Sequence, residues 1–410
     1  MRILLIHQMF LEEDDPGGSR FNEMTKVWIE KGNEVTVLAG MMHYNGHEKR
    51  REYKGKLFKN KNQFGVNVWR CHVSETYNSN FLGRLWGYFS FMFSSTWAGL
   101  FKVKQKFDVI LVTSPPLFVG ITAFILSKIK KTPYVFEVRD LWPESAIDTG
   151  VLKNKLIIKF AFYVEAFLYK NAKLINVLTP AFRDNLINSK KINPEKIIFI
   201  PNAADFSLSD TLVQNFNAEQ FRKELGWDEK FVITYVGAHG VANGLNQILK
   251  AAKKLEDTNI LFVLIGDGMC KKELINLASE LKVENVLFLP PVSKKEVFKF
   301  ILASNMGASV LKKVEAFKTV YSNKTFDYMA CKKPILMAID GVSRQLIEES
   351  KSGIFIEPEN CDEFDYKLRK YILDSKLIKQ HGINGYNFAR DNFDRVVLAD
   401  KYLNYLIALK

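Results

Sequence analysis

Short β-branched and apolar runs alternate with amphipathic stretches of helical period through residues 1–200 of this chain, and the alternation starts again after residue 217. Such a pattern leaves few folds. Parallel neighbours need a crossover, the crossover is usually a helix, and right-handed crossovers cover both faces of one sheet. Strands are expected at 2–7, 34–39, 66–71, 109–113, 134–138, 174–178 and 197–200, then at 232–236, 260–265, 286–289, 307–310 and 335–338. The first helix is expected over 19–31, with Ser19 as N-cap, Phe21, Met24, Val27 and Trp28 on one face, and Gly32 ending it. A helix burying Leu245, Ile248, Leu249, Ala252 and Leu255 follows the first strand of the second series. Between the series, 207–217 is polar and reads as a linker, followed by the capping pattern Asn217-x-x-Gln220. The tail, 361–410, reads as helices only.

These elements predict an α/β chain of two Rossmann-like, doubly wound parallel-sheet domains facing a central cleft. The first covers 1–205, completed by a C-terminal helix at about 391–410, and the second covers 206–390. Ligands of such sheets bind beyond the carboxyl ends of the strands, so two facing sheets predict two substrates.

The 410 residues include 58 Lys plus Arg against 45 Asp plus Glu, a formal charge of +13. With 47% hydrophobic and 25% charged residues there is material for two cores, and disordered, collagen-like and disulfide-scaffold chains are excluded. Cys71, Cys270, Cys331 and Cys361 form no Cys-x-x-Cys pair and the histidines show no ligand-like spacing, which predicts a reduced, cytosolic chain without structural zinc. The opening Met1-Arg2-Ile3-Leu4-Leu5-Ile6-His7 is too short an apolar run for a signal peptide. The basic residues form no continuous stripe, which argues against nucleic acid. One segment, 85–101 (LWGYFSFMFSSTWAGLF), carries no charge and is flanked by Arg84, Lys102 and Lys104. It falls short of the roughly 20 residues that span a bilayer. Its glycines, hydroxyls and aromatics suit an interfacial segment at least as well.

Pro16-Gly17-Gly18-Ser19-Arg20 brings two glycines to a helix start, where bare amides and the helix dipole favour an anion; a plain tight turn is the alternative. No acidic residue ends the second strand, which argues against a dinucleotide site. Tyr235-Val236-Gly237-Ala238-His239-Gly240 repeats that geometry in the second half. A neutral His239 there can hydrogen-bond a sugar hydroxyl or a phosphate, or simply serve its loop. Gly266-Asp267-Gly268 reads as the turn into the next helix.

The richest segment is Thr319-Val320-Tyr321-Ser322-Asn323-Lys324-Thr325-Phe326-Asp327-Tyr328-Met329-Ala330, a loop running into a helix capped near Ser322 or Asn323. Lys324 in its first turn opposes the helix dipole, so helix energetics alone do not place it there, whereas an anion bound at that end would. Asp327, one turn on, can accept from ribose hydroxyls or pair with Lys324. In the first half, Glu137-Val138-Arg139-Asp140-Leu141-Trp142-Pro143-Glu144 sets charge at the carboxyl end of a strand. Arg139 and Asp140 either face the cleft or pair with each other.

Together, Thr113-Ser114-Pro115-Pro116, Arg139-Asp140-Leu141-Trp142-Pro143-Glu144, Ile200-Pro201-Asn202-Ala203-Ala204-Asp205, Gly266-Asp267-Gly268 and Asn323-Lys324-Thr325-Phe326-Asp327-Tyr328-Met329-Ala330 make a set that is specific in order and spacing. Over essentially the whole chain the set resembles the retaining glycosyltransferases of family 4, which have the GT-B fold, and among them the fucosamine-transferase-like enzymes of surface-polysaccharide assembly. The resemblance implies a nucleotide-sugar donor in the second domain, UDP-linked, with an N-acetylated deoxyhexosamine as one candidate sugar. It implies a polyprenyl-diphosphate-linked or oligosaccharide acceptor in the first domain, transfer with retained configuration in bacterial O-antigen or capsule assembly, and no metal or other cofactor.

On the same grounds Asp140, Arg139 and Lys324 are catalytic candidates, and Gly18, His239, Gly240, Gly266, Asn323, Lys324 and Asp327 are donor-site candidates. Lys324 and the amides of Gly18, His239 and Gly240 would neutralise the leaving diphosphate. A lipid-linked acceptor further implies a peripheral protein on the inner face of the cell membrane. Residues 85–101 offer it a surface, as do Lys153, Lys155 and Lys159 interleaved with Leu156, Ile157, Phe160, Phe162, Tyr163 and Phe167; a core helix with solvated lysines is the alternative. The chain departs from the family at the donor site. The usual Glu-x(7)-Glu pair falls on Thr319 and Asp327, and the usual basic pair after the first glycine of the second domain falls on Ala238 and Asn243. Lys324 is the replacement cation in this reading. A non-catalytic scaffold and a sugar-nucleotide epimerase on the same fold are the alternatives.

Overall fold

A computed structural model describes residues 1–12, 15, 20–42, 49–78 and 81–410. The chain forms two compact units, one of Met1–Asp15, Ser19–Pro201 and Val396–Lys410, the other holding Asn202–Arg395.

The strands of the first unit are β1 (Arg2–Ile6), β2 (Glu34–Gly40), β3 (Phe58–Gln63), β4 (Val66–Cys71), β5 (Val109–Ser114), β6 (Tyr134–Val138), β7 (Leu174–Val177) and β8 (Ile197–Phe199). Among the described residues they make one sheet ordered β3-β4-β2-β1-β5-β6-β7-β8. Its pairs are parallel except β3 with β4. Ile3, Leu4, Leu5 and Ile6 are all fully buried because both faces of the sheet are covered. Strand β3 was not expected, since Phe58-Lys59-Asn60-Lys61-Asn62-Gln63 has little apolar character. It is an edge strand, where lysines are protective, and it is joined to β4 by a tight turn in which Gly65 N donates to Asn62 Oδ1 at 3.0 Å.

A buried polar knot ties this unit together. Arg20, which opens helix Arg20–Glu30, reaches Glu137 on β6 with Nε to Oε1 at 3.1 Å, and it donates to the carbonyls of Ile200, at 2.8 Å, and Pro201. Glu137 Oε2 accepts from Asn176 Nδ2 on β7 at 2.9 Å, and Asn176 Oδ1 accepts from Ile200 N at 2.9 Å. The C-terminal helix Arg395–Ile407 docks through Trp28, whose Nε1 donates to Ala399 O at 2.8 Å and whose ring meets Tyr402 edge-on.

In the second unit, β9 (Phe231–Val236), β10 (Ile260–Ile265), β11 (Val286–Leu289), β12 (Met306–Val310), β13 (Ile335–Ala338) and β14 (Gly353–Phe355) form a parallel sheet ordered β11-β10-β9-β12-β13-β14. Helices Asn246–Lys254, Lys271–Glu280 and Cys361–Tyr371 pack Ile248, Leu274 and Phe364 with Ile233, Tyr235 and Phe262 on one face. Helices Phe206–Asn215, Lys294–Ala303, Asn323–Ala330 and Val342–Ser350 pack Phe206, Phe298, Phe326 and Ile347 with Ile335 and Met337 on the other. The helix after β9 and the helix after β12 therefore leave on opposite faces, which makes the gap between these neighbours the switch point of the sheet.

One expectation is corrected. Residues 207–217 are no linker: Phe206–Asn215 is a helix with Asp205 as N-cap, accepting from Leu208 N at 3.2 Å, and it buries Phe206, Ser209 and Leu212. Its hydroxyl-rich composition hid the i, i+3, i+6 spacing of those three. Asn217 does cap the next helix, Ala218–Glu224, accepting from Gln220 N at 3.0 Å. Residues 85–101 lie in a helix and the turn that follows it. Helix Phe81–Trp97 continues into a wide turn, Ala98–Lys102, buries Ser90, Phe91, Ser95 and Ala98, and leaves Trp86, Phe93, Trp97 and Phe101 more than half exposed. Among the described residues no helix is long and apolar enough to cross a membrane.

Removing one member of a buried ion pair leaves an uncompensated charge, at a cost of about 3–5 kcal/mol. Arg20→Ala is expected to lower the unfolding free energy of the first unit by that order, measured by urea denaturation followed through tryptophan fluorescence.

Candidate active site

The switch point in the second unit is built around Tyr328. Its ring lies against β12 at Gly307, where a Cβ would come within 2.2 Å of it. Its hydroxyl accepts from Val236 N at 3.1 Å and donates to Ala308 O at 3.1 Å, linking β9, β12 and helix Asn323–Ala330. Thr325 Oγ1 adds a buried bond to Ser309 Oγ at 2.9 Å. The first turn of the helix is thereby held at the carboxyl ends of these strands.

Lys324 sits in that turn, partly buried. The N-cap residue Ser322 makes no capping bond with its side chain; its Oγ instead accepts from Lys324 Nζ at 3.3 Å. The lysine stem lies along Gly237, with Cε 3.3 Å from where a Cβ would stand, and Nζ is 4.7 Å from the centre of the Tyr235 ring. Burial outweighs the support of the Asp327 carboxylate and pushes the ammonium down to about 8. A cation so placed is destabilised until an anion joins it. Asn323, one residue earlier, is exposed, and Asp327 is partly buried.

The loop after β9 serves differently from expectation. The His239 amide donates to Asp267 O at 2.8 Å, so it is not available to a diphosphate. The imidazole is fully buried between Tyr235 and Phe288, and neither ring nitrogen has a hydrogen-bond partner among the described residues. Burial, then the charge of Lys271, pushes it down to about 4 against the pull of Asp267, so it is neutral. Gly240 N donates to Asn243 Oδ1 at 3.3 Å within the same loop. Gly266 is required by close approach: at φ +147° its Cβ would lie 1.9 Å from Gly237 O. Gly18 lies outside the described residues.

In the first unit, Arg139 and Asp140 directly follow β6, both partly buried. Asp140 Oδ2 accepts from Ser145 Oγ at 2.7 Å. Burial raises its carboxyl, with Glu144 adding and Ser145 opposing. The charge of Arg139 bears on His7, a residue the sequence reading passed over as part of the first strand. His7 Nδ1 lies 2.7 Å from Thr113 Oγ1, and burial followed by the charges of Arg139, Arg20 and Arg70 holds the ring neutral. A polar residue closing an otherwise apolar strand was the available signal. Lys190 bridges Glu144 and Glu165, each at 2.6 Å, and fastens the short helix Glu144–Asp148 behind Asp140. Burial takes Glu165 up to about 7.

Residues 17–203 match the family described as glycosyl transferase 4-like domain, and residues 217–388 the family described as glycosyl transferases group 1. The chain is 22% identical over 411 residues to WcaI of Escherichia coli K12, named as a colanic acid biosynthesis glycosyl transferase, covering 98% of this chain and 99% of that one. It is 24% identical over 260 residues to the N-acetylgalactosamine-N,N'-diacetylbacillosaminyl-diphospho-undecaprenol 4-alpha-N-acetylgalactosaminyltransferase of Campylobacter jejuni, covering 62% and 64% of the two chains. In fold it is similar to Anabaena Alr3699/HepE in complex with UDP, with a TM-score of 0.72 at 18% identity over 100% of both chains. The two parallel-sheet units are those of the GT-B class.

A buried polar group without a partner costs about 1–3 kcal/mol. His239→Leu is therefore expected to raise the melting temperature at neutral pH. The neutral imidazole also contributes stability that is full above the ordinary value of 6.5 and is lost as pH falls towards about 4. Thermal melts of the variant between these pH values should lose that share of the acid destabilisation.

Proposed function

We propose that this chain, a glycosyltransferase joining a 4-like domain to a group 1 domain, moves a sugar with retained configuration from a UDP-linked donor to a polyprenyl-diphosphate-linked acceptor in bacterial surface-polysaccharide assembly, either O-antigen or capsule. The reading draws its pathway from the name of WcaI, its lipid acceptor and N-acetylhexosamine class from that of the Campylobacter transferase, and its nucleotide from the UDP bound by the Anabaena protein. The observation that carries it is Lys324, a cation driven down in pKa and held at a helix start on the switch point. Charge develops on the leaving diphosphate as the glycosidic bond breaks, and a preorganised cation in a site of low dielectric stabilises that charge without a metal.

Asp327 is assigned to the donor ribose, and Arg139 and Asp140 to the acceptor side. With its carboxyl raised by burial, Asp140 is suited to exchange a proton with an acceptor hydroxyl. The exposed aromatics Trp86, Phe93, Trp97 and Phe101, and Leu156, Phe160 and Tyr163 beside exposed Lys153, Lys155 and Lys159, are assigned to the inner face of the cell membrane. Each basic residue near anionic lipid contributes about 1 kcal/mol.

Loss of one such cation costs about 3–4 kcal/mol of transition-state stabilisation. Lys324→Ala should lower turnover by at least about a hundredfold, measured as nucleotide release from a donor panel with lipid extract; an unchanged rate refutes the assignment. UDP affinity should weaken as pH rises through about 8, where Lys324 loses its proton, and this dependence should vanish in Lys324→Ala. In flotation with phosphatidylglycerol vesicles the protein should rise with the lipid, and a variant with serine at Trp86, Phe93 and Trp97 should not. Indifference of the unmodified protein to such vesicles would remove the membrane assignment.

A further inference from the structure

A nucleoside diphosphate carries more than one negative charge, and Lys324 offers one positive. The loop from Gly237 to Gly244 contains no Lys or Arg, and its His239 amide is committed to Asp267. Further positive charge has to reach the site from outside the loop. Two lysines lie against the loop's ends. Lys324 rests on Gly237, next to Ala238. Lys312, two residues past β12, rests on Gly244, next to Asn243: a Cβ at Gly244 would be 3.1 Å from Lys312 Cγ and 3.3 Å from its backbone nitrogen. Gly244, at φ +56°, turns the chain and leaves room for the stem. Lys312 N donates to Ala242 O at 3.0 Å, and Gln247 Nε2 donates to Leu311 O at 3.2 Å, so the end of β12 is stapled to the loop.

The neighbouring lysines are engaged. Lys313 pairs with Glu357 at 2.8 Å, Lys318 with Glu315 at 2.7 Å, and Lys271 donates to the carbonyls of Gly266 and Leu289 at 2.7 and 2.9 Å. Lys312 is partly buried, and its ammonium has no hydrogen-bond or ion-pair partner among the described residues. Its charge is felt by the Cys270 thiol beside the same loop. The stem is held against Gly244, in the loop that follows β9, while the charged end is unengaged.

We propose that Lys312 is the second diphosphate-binding cation of this unit, acting with Lys324 from the two ends of a loop that has no cation of its own. The proposal rests on the donor reading above. Its ligand is a nucleoside diphosphate, bridged between one lysine at each end of the loop.

Titration calorimetry with UDP, GDP and UMP at neutral pH and low salt tests it. Lys312→Gln should weaken the preferred diphosphate at least tenfold and UMP no more than threefold, and Lys312→Arg should restore most of the affinity. The salt dependence of diphosphate binding should also be shallower in Lys312→Gln. Unchanged diphosphate affinity in Lys312→Gln, with binding intact in the unmodified protein and weakened in Lys324→Gln, overturns this inference and leaves the donor reading standing. Equal weakening of UMP and diphosphate overturns it too, since the lysine would then act on the nucleotide generally. Failure of the unmodified protein to bind either diphosphate overturns both.

Discussion

The hydroxyl of Tyr328 bonds to two strands at once, and the placement of Lys324 depends on that anchorage. An eight-residue helix is too short to be stable alone. Here the ring fills the space that Gly307 leaves on β12, and the hydroxyl satisfies Val236 N and Ala308 O at the point where the sheet changes direction. The helix start becomes part of the sheet edge, and Lys324 acquires a location that its own torsional freedom would not supply. Its depressed pKa follows from the same packing, because the atoms that hold the helix in place also keep water from the ammonium.

The first unit uses buried polarity for a different end. Arg20, Glu137 and Asn176 satisfy one another and the carbonyls after β8, so four separate segments meet in one network. Such a network gains little net stability over apolar packing, yet it tolerates only one arrangement, because any slip leaves a charge unpaired in low dielectric. It lies under the end of β6, whose next residues are Arg139 and Asp140. A second network, in which Arg70 pairs with Glu12 at 3.0 Å and Glu12 accepts from Tyr53, holds Glu12 after β1 in the same way. His7 and His239 are kept neutral by burial at corresponding ends of the first strand of each unit. Each ring is therefore uncharged at physiological pH; His7 bonds Thr113, while His239 has no ring partner among the described residues.

Much of this was legible in the residues. The parallel strands announced themselves as continuous apolar runs, because strands covered on both faces need no polar side. Lys324 announced itself by standing where helix electrostatics disfavours a cation. The edge strand β3 and the short strand β14 gave no such signal, since an edge position relaxes the demand for apolar residues and a three-residue strand is too short for a pattern. Helix Phe206–Asn215 was concealed by serine, threonine and aspartate on its solvent side.

The sequence by itself determined which segments pair in parallel, where the chemistry-bearing loops fall along the chain, and which cation stands at a helix start. Those properties are local, written in periodicity and in single residues out of keeping with their element. Only the tertiary structure decided that the His239 amide is already engaged, that His7 meets Thr113 beneath Arg139, and that Lys312 lies beside Gly244. These are contacts between ends of strands far apart in the chain, and no spacing rule records them, because sheet order and the direction of each crossover set which ends become neighbours.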